Sequence, residues 1–196
     1  CVPSVNERFV MEVKTDESGS SNDDQFTLPW NGTYDVEWGD GVTETSVTGT
    51  KTHTYASAGT YDISVTATSG SVSFKNGGDE DKIKDIKNWG TCVWTSMNSM
   101  LSNCVNFGAI SATDIPDLSA VASMGQMFDS ARFESINFVG WNVSNVQDFY
   151  QLFRRANRFT SFSPVFDISG WDTSSLTTSF YTFKDYGQYG TGNAYI

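Results

Sequence analysis

The chain repeats itself, and that constrains its fold more than any other feature. Residues 94–104, 121–131, 146–156 and 176–186 align, with starts 27, 25 and 30 residues apart. The shared skeleton is apolar at positions 1, 4, 7 and 8 and usually small at 11. The first unit carries Trp94, Met97, Met100, Leu101 and Cys104. The second carries Val121, Met124, Met127, Phe128 and Ala131, and the third Val146, Phe149, Leu152, Phe153 and Ala156. The fourth is degenerate, with Ser179 and Thr182 in apolar columns. Such a unit cannot bury its apolar face alone and must stack on its neighbours. The spacing predicts one short helix per unit. A brief extended segment, such as 135–138 or 166–169, and a turn marked by Trp89, Trp141 or Trp171 complete each unit. In this register Met97/Met100 and Met124/Met127 read as core, not as thioether metal ligands.

Ahead of the repeats the pattern has period two. Phe9, Met11 and Val13 alternate with polar residues, as do Tyr34, Val36 and Trp38, and Tyr61, Ile63, Val65 and Ala67. This is the mark of half-buried antiparallel strands. Glycine- and serine-rich turn signals separate them. Residues 76–81 are polar and acidic and read as a solvated connector, since no calcium-loop spacing is present. The expected organisation is a β-sandwich over 1–75, a connector at 76–88, about four repeats over 89–186 and a tail at 187–196.

Two resemblances sharpen this. Trp38-Gly39-Asp40-Gly41, then His53-Thr54-Tyr55 and Gly59-Thr60-Tyr61, resembles the PKD-type immunoglobulin-like domain. The likeness implies a non-catalytic spacer or binding module. Trp38 would fill its centre, with Gly39 and Gly41 in a tight turn capped by Asp40 and with Tyr55 and Tyr61 packing nearby. A cation contact at Asp40 is the lesser alternative, and His53 reads as a structural hydrogen-bonding residue. The repeats resemble BspA-type leucine-rich repeats of bacterial surface proteins, with Met97, Met124, Phe149 and Phe153 in leucine columns; the chain has only five leucines. Together they imply a mixed fold: an all-β immunoglobulin-like sandwich followed by an α/β leucine-rich-repeat-type solenoid.

Composition bounds the function. The net charge is −11, with −7 in residues 1–75 (4 basic, 11 acidic) and −4 beyond (8 basic, 12 acidic). This opposes nucleic acid, whose binding needs a positive face. No apolar run reaches the roughly 20 residues of a membrane-spanning helix. His53 is the only histidine. No phosphate loop, C-x-x-C or H-E-x-x-H motif occurs, so no catalytic residue, metal site or cofactor is expected. Paired carboxylates cannot be tested by sequence when 23 acidic residues are present. The sequons at Asn31 and Asn142 fit chance in so Asn-, Ser- and Thr-rich a chain.

Three explanations compete for Cys1: the lipid-bearing residue of a processed lipoprotein, the start of a fragment, or a residue left by proteolysis. Cys92 and Cys104 are open to pairing in an oxidising compartment, but the repeat register favours Cys104 as a small buried residue. Arg154, Arg155 and Arg158 cluster on the third unit. They read as a solvated face complementing a helix C-terminus, or as a docking patch for an acidic partner. Tyr186, Tyr189 and Tyr195 are suited to stacking on sugars, and the glycine- and tyrosine-rich tail equally to serving as an assembly strand. The expectation is a non-enzymatic extracellular or cell-surface protein that adheres through its repeat face to a protein or glycan. The alternative is a structural subunit of an ordered assembly, such as a phage capsid decoration or fibre protein on a virion surface, with copies of itself as partners.

Overall fold

The computed structural model describes residues 5–75, 78–157 and 166–187. A 3-10 turn at Val5–Glu7 leads into β1 (Phe9–Lys14), β2 (Gln25–Leu28), β3 (Trp30–Asn31), β4 (Thr33–Glu37) and β5 (Thr43–Thr48). Then come β6 (Lys51–Thr54), β7 (Thr60–Thr66), β8 (Ser69–Val72) and a 3-10 turn at Glu80–Lys82. The remaining strands are β9 (Ile83–Asn88), β10 (Val93–Trp94), β11 (Ala109–Ile110) and β12 (Ser135–Ile136). No α-helix occurs among the described residues.

The main sheet has the order β12-β11-β9-β1-β7-β4-β5. β1 lies between two antiparallel neighbours, β7 and β9, and from β9 the sheet continues through parallel β11 and β12. Smaller sheets, β10-β8-β3 and β2-β6, supply the facing layer. The alternation read in β1 and β4 is the burial alternation: Phe9, Met11, Val13, Tyr34 and Val36 point into the core. Phe9 of β1 meets Trp30 at 6.1 Å, Trp94 at 5.0 Å and Trp89 at 6.0 Å between ring centroids. One core therefore contains side chains from both halves of the chain. On the outer side Glu12 and Asp62 stand directly opposite on β1 and β7, and Lys87 of β9 bridges both at 2.7 Å. Like charges opposite each other destabilise a strand pair, so this lysine offsets a local conflict.

The expected immunoglobulin-like sandwich followed by an α/β leucine-rich-repeat-type solenoid is corrected: the chain is nearly all-β. A long sheet unites strands from both halves, and the repeats contain turns instead of helices. The reason is visible in the backbone. Ser99, Gln126, Gln151 and Tyr181 occupy one column of left-handed residues (φ 57–62°), and Asn103, Ser130, Arg155 and Asp185 occupy a second four residues later (φ 57–63°). A left-handed residue every fourth position ends each turn before a helix can propagate. The turns close by short-range bonds, Met100 N–H to Met97 O, Met127 N–H to Met124 O and Leu152 N–H to Phe149 O. Successive four-residue turns present apolar residues inward at nearly the same spacing as a helix, so periodicity alone does not separate the two.

These turns are layered. In each of the first three units four N–H groups, two residues apart, donate to four carbonyls of the next unit at 2.7–3.1 Å. Met97, Ser99, Leu101 and Asn103 donate to Ser123, Gly125, Met127 and Asp129. Met124, Gln126, Phe128 and Ser130 donate to Asp148, Tyr150, Leu152 and Arg154. Phe149, Gln151, Phe153 and Arg155 donate to Thr178, Phe180, Thr182 and Lys184. Inside, Phe128, Phe153 and Phe183 form a stacked column with 5.3 Å between successive rings.

The stretch read as a solvated connector holds the most buried ionic cluster described. Asp79 and Lys82 are both fully buried. The Lys82 ammonium donates to Ser21 Oγ (2.8 Å) and to the carbonyls of Asn22 (2.8 Å), Gln25 (2.9 Å) and Ser21 (3.2 Å). Asp79 accepts from Ser21 N–H, Ser21 Oγ–H and Thr27 N–H at 2.7–3.0 Å. A chain segment rich in charge is thus buried because the 20–27 loop supplies its partners. Lys82→Met, which keeps the volume and removes the donors, is expected to lower stability by about 3 kcal/mol. Urea unfolding reads the change, and a loss below about 0.5 kcal/mol would show that the cluster contributes little.

Candidate binding face

The layering decides which side chains reach solvent. The residue after the inward position 4 points outward, and in the last two units it is aromatic: Tyr150 is 39% exposed and Phe180 is 65% exposed. Beside them Tyr181 is 45% exposed. Phe180 and Tyr181 meet edge to face at 4.7 Å, and the Lys184 ammonium sits 4.5 Å above the Tyr181 ring. Tyr150 O and Phe180 O accept successive rungs of the backbone ladder, so the two residues occupy equivalent places in adjacent layers. Sequence reasoning missed this group. The available signal was three aromatics at positions 5 and 6 of their units, outside the inward columns.

The polar side chains nearby are largely engaged with one another. Lys75 Nζ donates to Gln126 Oε1 (2.7 Å), whose Nε2 donates to Gln151 Oε1 (2.8 Å). Asn98 donates to Ser123 Oγ (3.3 Å), which donates to Asp148 (2.8 Å). Of the arginines expected as a patch, Arg154 and Arg155 engage different partners. Arg154 makes a two-pronged contact with Asp129, through Nε to Oδ1 at 2.9 Å and through Nη2 to Oδ2. The Asp129 side chain is 4% exposed, so this pair ties the second layer to the third. Arg155 has a left-handed backbone and lies 3.9 Å from Asp185 with nearly half its side chain exposed. Arg158 and Tyr189 lie outside the described residues, as does Tyr195. Tyr186 is half-buried against Phe166 at 5.9 Å, and burial pushes its phenol up despite a hydrogen bond with Asn157.

At the other end of the molecule, the Trp38-Gly39-Asp40-Gly41 turn is held by an aromatic stack. Trp38 is fully buried and stacks on His53 at 4.8 Å; His53 meets Tyr55 at 4.5 Å, and Tyr55 stacks on Tyr61 at 3.8 Å. Tyr55 O–H donates to Trp38 O (3.0 Å), and Trp38 Nε1–H donates to Glu44, which pairs with Lys51 at 2.7 Å. Gly39 has φ +88°, and a Cβ there would lie 2.7 Å from Asp62 O. Both Asp40 oxygens are engaged, Oδ1 by Val42 N–H (3.0 Å) and Oδ2 by His53 Nε2 (2.9 Å). Burial alone would raise the Asp40 pKa, but these hydrogen bonds outweigh it and hold the carboxyl below its ordinary range. That arrangement makes Asp40 and His53 a structural clamp.

Met97, Met124 and Phe153 are fully buried and Phe149 nearly so, each within the layered core. Cys92 and Cys104 are free, buried thiols. Burial pushes Cys92 up to about 11 and Cys104 well above its ordinary value, which disfavours the nucleophilic thiolate. Among the described residues no group of three or more His, Cys, Asp or Glu could hold a metal ion. The described surface has open clefts. One of about 650 Å³ lies over β4 and β7 beside Glu7, Asp35, Ser46 and Thr91, and one of about 460 Å³ lies between the Trp141 and Trp171 turns.

A nearly helix-free protein of long sheet and layered turns is thus defined. The family model described as "Mycoplasma protein of unknown function, DUF285" matches residues 69–192, more than half of the chain, and the chain belongs to that family. The resemblance to a PKD-type domain followed by BspA-type leucine-rich repeats is corrected accordingly. The matched region begins in β8 and contains no α-helix among the described residues. No curated protein and no solved structure matches the chain.

Two outcomes follow from these contacts. Arg154→Ala leaves the nearly buried Asp129 carboxylate without its guanidinium and is expected to cost about 2 kcal/mol in urea unfolding. An unchanged midpoint would return Arg154 to the pool of free surface cations. The depressed Asp40 pKa contributes stability above the unfolded value of about 3.9, and that contribution is lost as pH falls through the lower folded value. Asp40→Asn is therefore expected to be less stable than wild type at pH 7, with the difference narrowing below about pH 4. Thermal melts across pH 2–7 measure it.

Proposed function

We propose that the protein is a non-enzymatic extracellular surface protein. It binds a protein or glycan on another surface through the face bearing Tyr150, Phe180 and Tyr181. The exposed aromatic group in the last two layers carries this reading. Aromatic rings offer large contact area at low conformational cost and suit both sugar faces and protein partners. Among the described residues these three rings are left in water, while every other aromatic is buried or half-buried. The committed polar columns beside them form a rigid support. The net charge of −11 weighs against nucleic acid as the partner.

The test is binding of the intact protein to a glycan array and to immobilised extracellular-matrix proteins, wild type beside Phe180→Ala/Tyr181→Ala. The double variant is expected to keep its unfolding midpoint and lose binding about tenfold or more. Equal binding by both proteins, or no binding by wild type across both panels, would remove the aromatic face as the contact surface.

A further inference from the structure

We propose that the 20–27 loop forms a cation cage of the potassium class, which this chain fills with its own Lys82 ammonium. Four oxygens converge on the Lys82 nitrogen: the carbonyls of Ser21 (3.2 Å), Asn22 (2.8 Å) and Gln25 (2.9 Å) and the Ser21 hydroxyl (2.8 Å). Carbonyls from three residues of one short loop thus meet at a single centre, the arrangement by which backbone oxygens replace the hydration shell of a cation. An ammonium has only three N–H donors. At least two of the four oxygens must therefore share a hydrogen, and the cage supplies more oxygen than a lysine uses. A spherical cation would engage all four.

Distance and charge select the class of ion. Separations of 2.8–3.2 Å exceed the roughly 2.3–2.6 Å of calcium sites and the roughly 2.0–2.1 Å of magnesium sites. Potassium and ammonium, which are close in size, suit them. No carboxylate oxygen is among the four. Asp79 stands one hydroxyl away, accepting from Ser21 Oγ–H (2.7 Å), Ser21 N–H (3.0 Å) and Thr27 N–H (2.7 Å). A neutral oxygen shell with a balancing carboxylate behind it suits a single positive charge, whereas a calcium ion takes carboxylates directly. Asp16, Asp23 and Asp24 add negative potential that favours the charged amine against the burial that disfavours it.

The lysine reaches the cage past a glycine. A Cβ at Gly19 would lie 2.7 Å from Lys82 Cε and 2.5 Å from Asp79 Oδ1, so a side chain at that position would close the path of the stem. Lys82 ends the 3-10 turn Glu80–Lys82, directly ahead of β9, and is fully buried. The tether makes the cation permanent and joins the loop and β2 to β9 whatever salt surrounds the molecule. Truncating Lys82 at Cβ therefore differs from replacing it with a side chain of equal volume. Truncation leaves both the oxygens and a passage to them.

The experiment melts the full chain carrying Lys82→Ala in the chlorides of potassium, rubidium, lithium, calcium and methylammonium at equal ionic strength. Wild type and Lys82→Met are melted in the same salts. Lys82→Ala is expected to melt at least about 3 °C higher in potassium or rubidium than in lithium, relative to wild type, because the ion binds the folded state alone. Lys82→Met fills the passage and is expected to show no such difference. If Lys82→Ala does not fold in lithium, refolding yield replaces the melting temperature, and recovery in potassium supports the cage. The proposal is overturned by equal melting in potassium and lithium, or by failure to fold in every salt. A potassium response shared by Lys82→Met would be a general salt effect and would also overturn it. So would a response to calcium alone, or to methylammonium alone, the last making the site an amine pocket.

Discussion

The left-handed residue at every fourth position of the repeats is the constraint on which the rest of the C-terminal half depends. It bends the chain out of a helical path, so the N–H groups that a helix would satisfy internally must look elsewhere. They find carbonyls one unit further along. Non-glycine residues enter this region at a cost of about 1 kcal/mol each. Here they do so in two columns, where the inter-layer bonds and the buried phenylalanine column offset the strain. Local backbone cost and long-range bonding are two aspects of one arrangement, and neither is stable without the other.

The aromatic residues join that layered array to the strands before it. Phe9, Trp30, Trp89 and Trp94 pack together, drawing on β1, β3, β10 and the first turn of the repeats. Three of these rings, Trp30, Trp89 and Trp94, keep an indole N–H with no acceptor. Packing of large rings has evidently outweighed the polar cost there. Lys87 across β9, β1 and β7, and Lys82 beneath the 20–27 loop, add ionic ties between residues far apart in sequence. From Asp79 onward the short acidic stretch between the halves is consequently part of the folded core.

The inward columns of the repeats and the alternating strands were legible because burial follows spacing. Met97, Met124, Phe149 and Phe153 are in the core for the reason their register implies. The helix was misread because turns of four residues and a 3.6-residue helix bury almost the same positions. Only the φ values of Ser99, Gln126, Gln151 and their neighbours separate the two, and serine or glutamine in a sequence does not announce a left-handed backbone. The different partners of Arg154 and Arg155 have a similar origin. Neighbours in sequence diverge on such turns, so Arg154 reaches back to Asp129 while Arg155 turns toward Asp185.

The sequence by itself determined that the chain is built of repeated units with fixed inward columns, preceded by alternating strands. It also determined an acidic surface without the familiar catalytic motifs. Hydrophobic spacing and charge are local properties and can be read along a line. The tertiary structure decided that one sheet spans both halves, that Asp79 and Lys82 are buried, and which aromatics stay in water. Each of these depends on which distant backbone group satisfies a given N–H, and that pairing exists only once the layers are stacked.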